Sequence, residues 1–302
     1  MWKMRFPSGQ IATLKGMGCM AAGALLLATQ DAITKWLIVD FHAGEIMFYR
    51  GLWAFPVLGV LIFVNGGVST LRLYNAQAVW WRGLVACLTS IFVALSFVKL
   101  PLAEAAALIF MSPIFLTAFA PLLLKEHVGF YRWLAVVLGL IGALFMIQPG
   151  TPAFNSWVVI PLIAAMCSGY RDVLTRRMGT HDSATTVMFY TSVVAVAGGA
   201  LTLPFGTHWP SLHHWVLFAI GGTFVSLAHL LIVISLQLAA GAVVSPLKYL
   251  SLIWAAIIGY FVWGDKPGKF KILGAVMVIV AGLLILYRET RNKVENNNKP
   301  QC

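Results

Sequence analysis

The chain has 302 residues, of which 60% are apolar and only 10% charged, and its mean hydropathy is +0.86. A soluble domain carries about 25% charged residues, so these figures exclude a water-soluble enzyme and imply an integral membrane protein. The net charge of +11 calls for no nucleic-acid partner, because anchoring to an anionic inner leaflet accounts for it.

From the N-terminus onward, apolar segments fall at roughly 12–38, 45–64, 80–98, 104–124, 132–148, 157–175, 186–204, 215–237, 242–263 and 270–288. A helix of about 20 residues crosses a hydrocarbon core, so each is a candidate span. Lys3, Arg5 and Lys15 ahead of the first segment imitate a signal peptide. The apolar stretch runs too far for one and lacks a small-residue cleavage site, which predicts a first helix that stays. Turn chemistry separates the segments, as at Asn65-Gly66-Gly67, Gln148-Pro149-Gly150 and Asp265-Lys266-Pro267-Gly268. The runs are long and lack period-2 alternation, so a strand reading fails. The expected fold class is an all-α integral membrane protein of ten transmembrane helices.

Internal repetition organises these spans. Asp31-Ala32-Ile33-Thr34-Lys35, followed by Met47-Phe48-Tyr49, has a counterpart in Asp172-Val173-Leu174-Thr175-Arg176, followed by Met188-Phe189-Tyr190, without a gap. A later register links Ser96, Ala103 and Glu126 to Ser235, Ala242 and Asp265. Residues 1–150 and 151–290 are therefore read as two related five-helix repeats, and 291–302 as a disordered cytoplasmic tail, polar and Asn-rich. Five is odd, so the second repeat must cross the membrane in the opposite sense to the first. Inverted repeats of this kind build secondary transporters, with the substrate site near the midplane between them. Counting Lys and Arg by loop places both termini in the cytoplasm, with Arg82 among the cytoplasmic charges.

The stretch Leu95 to Leu108, the following Pro113-Ile114-Phe115, and the acidic helix exits Lys125-Glu126 and Gly264-Asp265 resemble the drug/metabolite transporter superfamily. The similarity is to its ten-helix members with two EamA-type repeats, and it covers residues from about 12 to 288. Asp31 through Arg50, and Pro246-Leu247-Lys248-Tyr249-Leu250, look like the first hairpin and the ninth helix of S-adenosylmethionine-type uptake carriers. The resemblance implies two inverted repeats around a central pocket, alternating access, and a small-molecule substrate.

Charges inside spans are the candidate functional groups, since each costs several kcal/mol unless paired or wetted. Asp31 and Lys35 are spaced to pair on one helix face, and Asp172 repeats the arrangement with Arg176. The pairs read either as structural braces or as gating or proton-coupling groups, the mirrored placement suiting two gates, one towards each membrane face. Lys248 either pairs with an acid on another helix, Glu104 or Asp172, or meets a carboxylate-bearing solute beside Tyr249 and Trp254. Arg50 divides in the same way, with Glu45 as its internal partner, and its counterpart in the second repeat is Thr191. His229 is either an interior hydrogen-bonded histidine or a protonatable pocket residue. Tyr49, Tyr190, Tyr249 and Trp254 either pack or stack on a flat substrate.

Gly139, Gly142, Gly274, Ala281 and Gly282 mark close helix contacts, either within the chain or in a homodimer. His208, His213 and His214 share one outer loop, read as plain polar with adventitious metal binding as the alternative. No hydrolase, metalloprotease or phosphate-cradling motif is present, so no catalytic, cofactor or resident metal site is assigned. The expectation is a carrier in the inner (cytoplasmic) membrane that imports a nucleoside-like or zwitterionic cofactor metabolite. Its alternatives are an exporter of amino acids or toxic metabolites, and a membrane-bound enzyme acting on lipid-linked groups.

Overall fold

The computed structural model describes residues 10–64, 67–123, 130–148, 150–151, 154–178, 182–238 and 245–297. Among them every regular element is helical: α1 (Gln10–Leu37), α2 (Ala43–Leu52), α3 (Ala54–Val64), α4 (Ala76–Ser96), α5 (Leu102–Ile109), α6 (Ser112–Leu123), α7 (Phe130–Ile147), α8 (Val159–Met178), α9 (Ala184–Ala200), α10 (Leu212–Leu238), α11 (Leu250–Trp263) and α12 (Lys269–Asn297), with short 3-10 turns between some of them. In lipid each backbone amide must be satisfied inside its own segment, which only helices and closed barrels achieve. Among the described residues, six helical stretches are long and apolar enough to cross a membrane: Ile11–Leu37, Ala43–Val64, Ala76–Ser96, Leu102–Leu123, Ser156–Thr175 and Leu212–Ser235. Trp133–Ile147, Thr185–Ala200 and Leu247–Trp263 are shorter apolar helices. The chain is a multi-pass membrane protein.

Two expected spans are broken. The segment 45–64 divides at Trp53 and 104–124 divides at Phe110-Met111, in each case within three residues before a proline. A proline ring clashes with the carbonyl four residues back; for Pro56 and Pro113 those carbonyls belong to Leu52 and Ile109, the last residues of α2 and α5. The span expected at 242–263 also differs. Ser245–Tyr249 is a 3-10 turn, so Lys248 precedes the regular helix α11. The polar tail expected to be disordered is helical as far as Asn297, where α12 ends.

Capping explains several starts and stops. The Asn75 side chain accepts from Ala78 N to begin α4, Ser183 does the same from Thr186 N for α9, and Gly264 ends α11 with φ +69°.

Packing is set by which apolar faces meet. Helix α1 lies along α10 and against α11; α8 lies along α4 and against α6; α2 crosses α9, and α7 crosses α12. Small residues permit the last of these. A Cβ on Gly142 would stand 2.8 Å from the Gly274 carbonyl oxygen, and the Gly274 position is equally occupied by the Gly142 carbonyl. The glycines read as a possible homodimer face are thus used within the chain. Leu102, Leu108, Met111, Ile114, Met146 and Val278 fill the larger core, and Leu37, Phe41, Ile46, Tyr49 and Phe218 a second one. Leu140, Leu144, Val276 and Phe261 stay exposed, as lipid-facing residues should.

Candidate functional site

Two polar clusters interrupt this apolar packing. The first belongs to α1 and α2. Gln30 and Thr34 are four residues apart, so one helix face carries both, and both are buried. The Gln30 amide donates to Asp31 Oδ1, and the Thr34 hydroxyl donates to the Gln30 carbonyl at 3.0 Å. Arg50 enters from α2 and donates to Gln30 Oε1 and, at 3.3 Å, to Thr34 Oγ1. Its stem passes over Gly221 of α10, where an added Cβ would lie 3.7 Å from Arg50 Cδ. Gln30 therefore joins a carboxylate on one side to a guanidinium on the other.

The second cluster gathers α4, α8, α9, α10 and the turn before α11. Arg171 donates to Asp172 Oδ1 at 3.1 Å and to Ser168 Oγ at 3.0 Å. Arg82, in the second turn of α4, donates through Nε to Thr175 Oγ1 at 2.7 Å and through its terminal nitrogen to Thr191 Oγ1 at 2.9 Å. His229 Nδ1 faces the Val225 carbonyl at 2.7 Å, so in the neutral ring that nitrogen carries the proton and Nε2 is left as an acceptor. Lys248 interacts electrostatically with Asp172 and Arg171, and His229 with Arg171, Lys248 and Arg82. Both His229 and Lys248 are exposed.

The two clusters are variations on one pattern. Asp31 and Thr34 correspond to Asp172 and Thr175, while Thr191 stands where Arg50 stands in the first run. The guanidinium missing at 191 is supplied by Arg82 from another helix, and it binds both threonines. Gly221, beside Arg50, and His229 are eight residues apart on α10, about 12 Å along the axis. Four cations (Arg50, Arg82, Arg171, Lys248) face two carboxylates (Asp31, Asp172), an excess of positive charge among the described residues.

Several expected pairings differ. Lys35 turns away from Asp31 and pairs with Asp265 at 3.2 Å, its ammonium 4.6 Å from the Trp263 ring centroid. A lysine near a helix end reaches whichever carboxylate the neighbouring helix offers at the interface, and α11 ends there. Glu45 does not hold Arg50. It is fully buried and accepts from the backbone N–H of His42 and His208 at 2.9 and 2.7 Å. Glu104 pairs with Lys271 at 2.7 Å and not with Lys248. Asp172 is bonded by Arg171; the side chain of Arg176, its expected partner, lies outside the described residues.

The aromatic candidates separate by environment. Tyr49 is buried among Phe41, Trp215 and Phe218, with ring centroids 5.1 to 6.4 Å away. Tyr249 is buried against Phe110, its hydroxyl filling the notch at Gly282. Tyr190 donates to the Leu71 carbonyl at 3.3 Å and packs on Trp80. Trp254 is half-buried.

Sequence reasoning missed Gln30 and Arg82. The signal for Arg82 was present: a repeat that keeps the aspartate and threonine but replaces the arginine by Thr191 needs its cation from elsewhere.

Comparison with known proteins follows this geometry. The profile described as the EamA-like transporter family matches residues 14–148 and again 155–287. The S-adenosylmethionine uptake transporter of Rickettsia felis is 26% identical over 281 residues, covering 92% of this chain and 94% of that protein. A riboflavin transporter of Rhizobium johnstonii is 25% identical over 285 residues, covering 93% and 92%. The pseudopaline exporter of Pseudomonas aeruginosa is 24% identical over 258 residues, covering 84% and 89%. A solved crystal structure superposes with a TM-score of 0.62 at 18% identity, over 94% of this chain and 100% of its own, and so shares the fold. These relatives are transporters, not enzymes.

Proposed function

The chain belongs to the EamA-like transporter family, and from that premise we propose that it is a secondary transporter importing a small carboxylate-bearing metabolite, zwitterionic or nucleoside-like, across the cytoplasmic membrane by alternating access. The observation that carries the substrate class is the excess of cations between the two clusters. A positive charge inside a span costs several kcal/mol unless paired or wetted, and a solute carboxylate that reaches Lys248 or Arg50 removes part of that cost. Relatives named for S-adenosylmethionine and riboflavin support a solute with a planar ring, for which half-buried Trp254, six residues on from Lys248, offers a stacking face.

Alternating access rests on ten spans in two inverted repeats, counting α2 with α3 and α5 with α6 as one span each. The packing supports this arrangement. Exchanging each helix for its counterpart turns the α1–α10 contact into α8–α4 and the α1–α11 contact into α8–α6, while α2–α9 and α7–α12 map onto themselves. Asp31 and Asp172 each lie six residues before the ends of α1 and α8. In inverted repeats those ends face opposite sides of the membrane, so the two clusters serve as the gates on either side of the solute, and both termini are cytoplasmic.

Saturable uptake of labelled S-adenosylmethionine into proteoliposomes is the direct test, with riboflavin as the ring-bearing solute that lacks a carboxylate. Lys248→Ala should raise the apparent KM about tenfold with little change in kcat, as expected when one charge-assisted bond of about 1.5–3 kcal/mol is lost. Transport of riboflavin but of no carboxylate-bearing solute would overturn the substrate class. The exporter relative favours the opposite direction as a second reading; counterflow from preloaded vesicles decides between them.

A further inference from the structure

A group outside both clusters has the composition of a metal site. His42 precedes α2, Glu45 lies in its first turn, and His208 sits in the connection before α10. The three offer ligand atoms that all lie within 4.8 Å of one another. His42 Nε2 is 3.8 Å and His208 Nδ1 3.9 Å from the same atom, Glu45 Oε2. Both distances are too long for a hydrogen bond. Two imidazoles from distant parts of the chain are thus gathered about one carboxylate oxygen without bonding to it.

We propose that His42, Glu45 and His208 bind a divalent transition metal ion of the zinc class. Tetrahedral zinc with bonds of about 2.0–2.2 Å sets its ligand atoms roughly 3.4 Å apart. Reaching that spacing from 3.8 and 3.9 Å takes shifts of about half an ångström by imidazoles that are both exposed. Glu45, by contrast, is already fixed. It is fully buried, and the backbone N–H groups of His42 and His208 hold its two oxygens. The amides of the two imidazole-bearing residues therefore orient the third ligand, the arrangement that supports first ligands in known metal sites.

Burial of a carboxylate that receives only neutral donors is expensive, and a cation at Oε2 offsets that cost. His42 Nε2 gives up one exposed hydrogen bond, 2.9 Å to the Gly206 carbonyl, to coordinate the ion. Gly206 has φ +140°, and a Cβ there would approach the His42 ring nitrogen to 3.1 Å, so glycine keeps the imidazole free to turn. The ligand set names the ion class. Two imidazoles and one carboxylate suit zinc, cobalt, nickel or copper, whereas calcium and magnesium require oxygen-rich sites.

The test uses tag-free, chelator-treated full-length protein in detergent. Titration with Co2+ should give the visible absorption of a tetrahedral site at one equivalent, which Zn2+ bleaches. Zn2+ should also raise the melting temperature, since an ion that binds only the folded state stabilises it. His42→Ala and His208→Ala should each abolish both signals while leaving the metal-free melting temperature unchanged, and His213→Ala should keep them. Should Glu45→Gln fold, it should weaken Zn2+ binding at least tenfold. Absence of both signals in the wild type overturns the proposal. So does an equal response in the His42→Ala and His208→Ala proteins, which would place the ion at His213, His214 and Asp40.

Discussion

Gln30 and Arg82 show how much rests on single side chains inside a membrane. Each bonds two or more polar groups on other positions at once, so its loss removes several hydrogen bonds together. Arg82→Ala should cut uptake ten- to a hundredfold, the range set by about 1.5–3 kcal/mol for a charge-assisted bond, with the protein still present in the membrane by immunoblot. The correspondence of Thr191 with Arg50 allows a sharper experiment. Adding Thr191→Arg to Arg82→Ala returns a guanidinium to the second cluster from the position the first cluster uses, and should recover a substantial part of the uptake. If the double variant is as inactive as the single one, the two clusters are not equivalent. These roles were only half legible in advance. Asp31, Asp172, Arg50 and Lys248 stand out as charges in apolar runs, but Gln30 is neutral and Arg82 lies close enough to a helix start to pass for a loop charge.

At the scale of elements, proline placement and glycine contacts decide the shape. Pro56 and Pro113 end α2 and α5 four residues upstream, while Pro121 lies inside α6, so the order of residues contains the candidate break points but not which of them break. The partner of a glycine face is not contained there. Gly139 and Gly142 of α7 meet Gly274 and Ala281 of α12, where lipid supplies no hydrophobic drive and close backbone contact must hold the helices together. Gly274→Leu should therefore destabilise the protein by about 1–3 kcal/mol or more through overpacking, lowering the melting temperature by several degrees. Gly59→Leu, where an added Cβ meets nothing within 4 Å, should leave it unchanged. Equal melting temperatures in the two variants would show that the α7–α12 contact does not carry stability.

For the whole molecule the decisive property is the relation between the two repeats. In a protein freed of its native cysteines, Val39→Cys and Arg177→Cys occupy exposed positions just past and just before the ends of α1 and α8. An impermeant thiol reagent should label Val39→Cys only from outside the cell and Arg177→Cys only from within. Labelling of both from one side would remove the inverted arrangement, and with it the mechanical basis for alternating access. In the proposed orientation the outer ends are further tied by Lys35–Asp265 and Glu104–Lys271, pairs that join α1 to the end of α11 and α5 to α12. An outward-open state has to separate them.

The order of residues alone determined the membrane class, the duplicated plan and the resemblance to EamA-type carriers. Each depends on local composition or on matching one stretch with another, and neither needs a fold. Only the tertiary structure decided that Lys35 seeks Asp265 and not Asp31, that Glu45 is held by two backbone amides and faces two imidazoles, and that Arg82 replaces the arginine missing at Thr191. Long charged side chains reach across several ångströms to any helix that packs beside them. Their partners are therefore set by which helices meet, and that is a property of the assembled bundle.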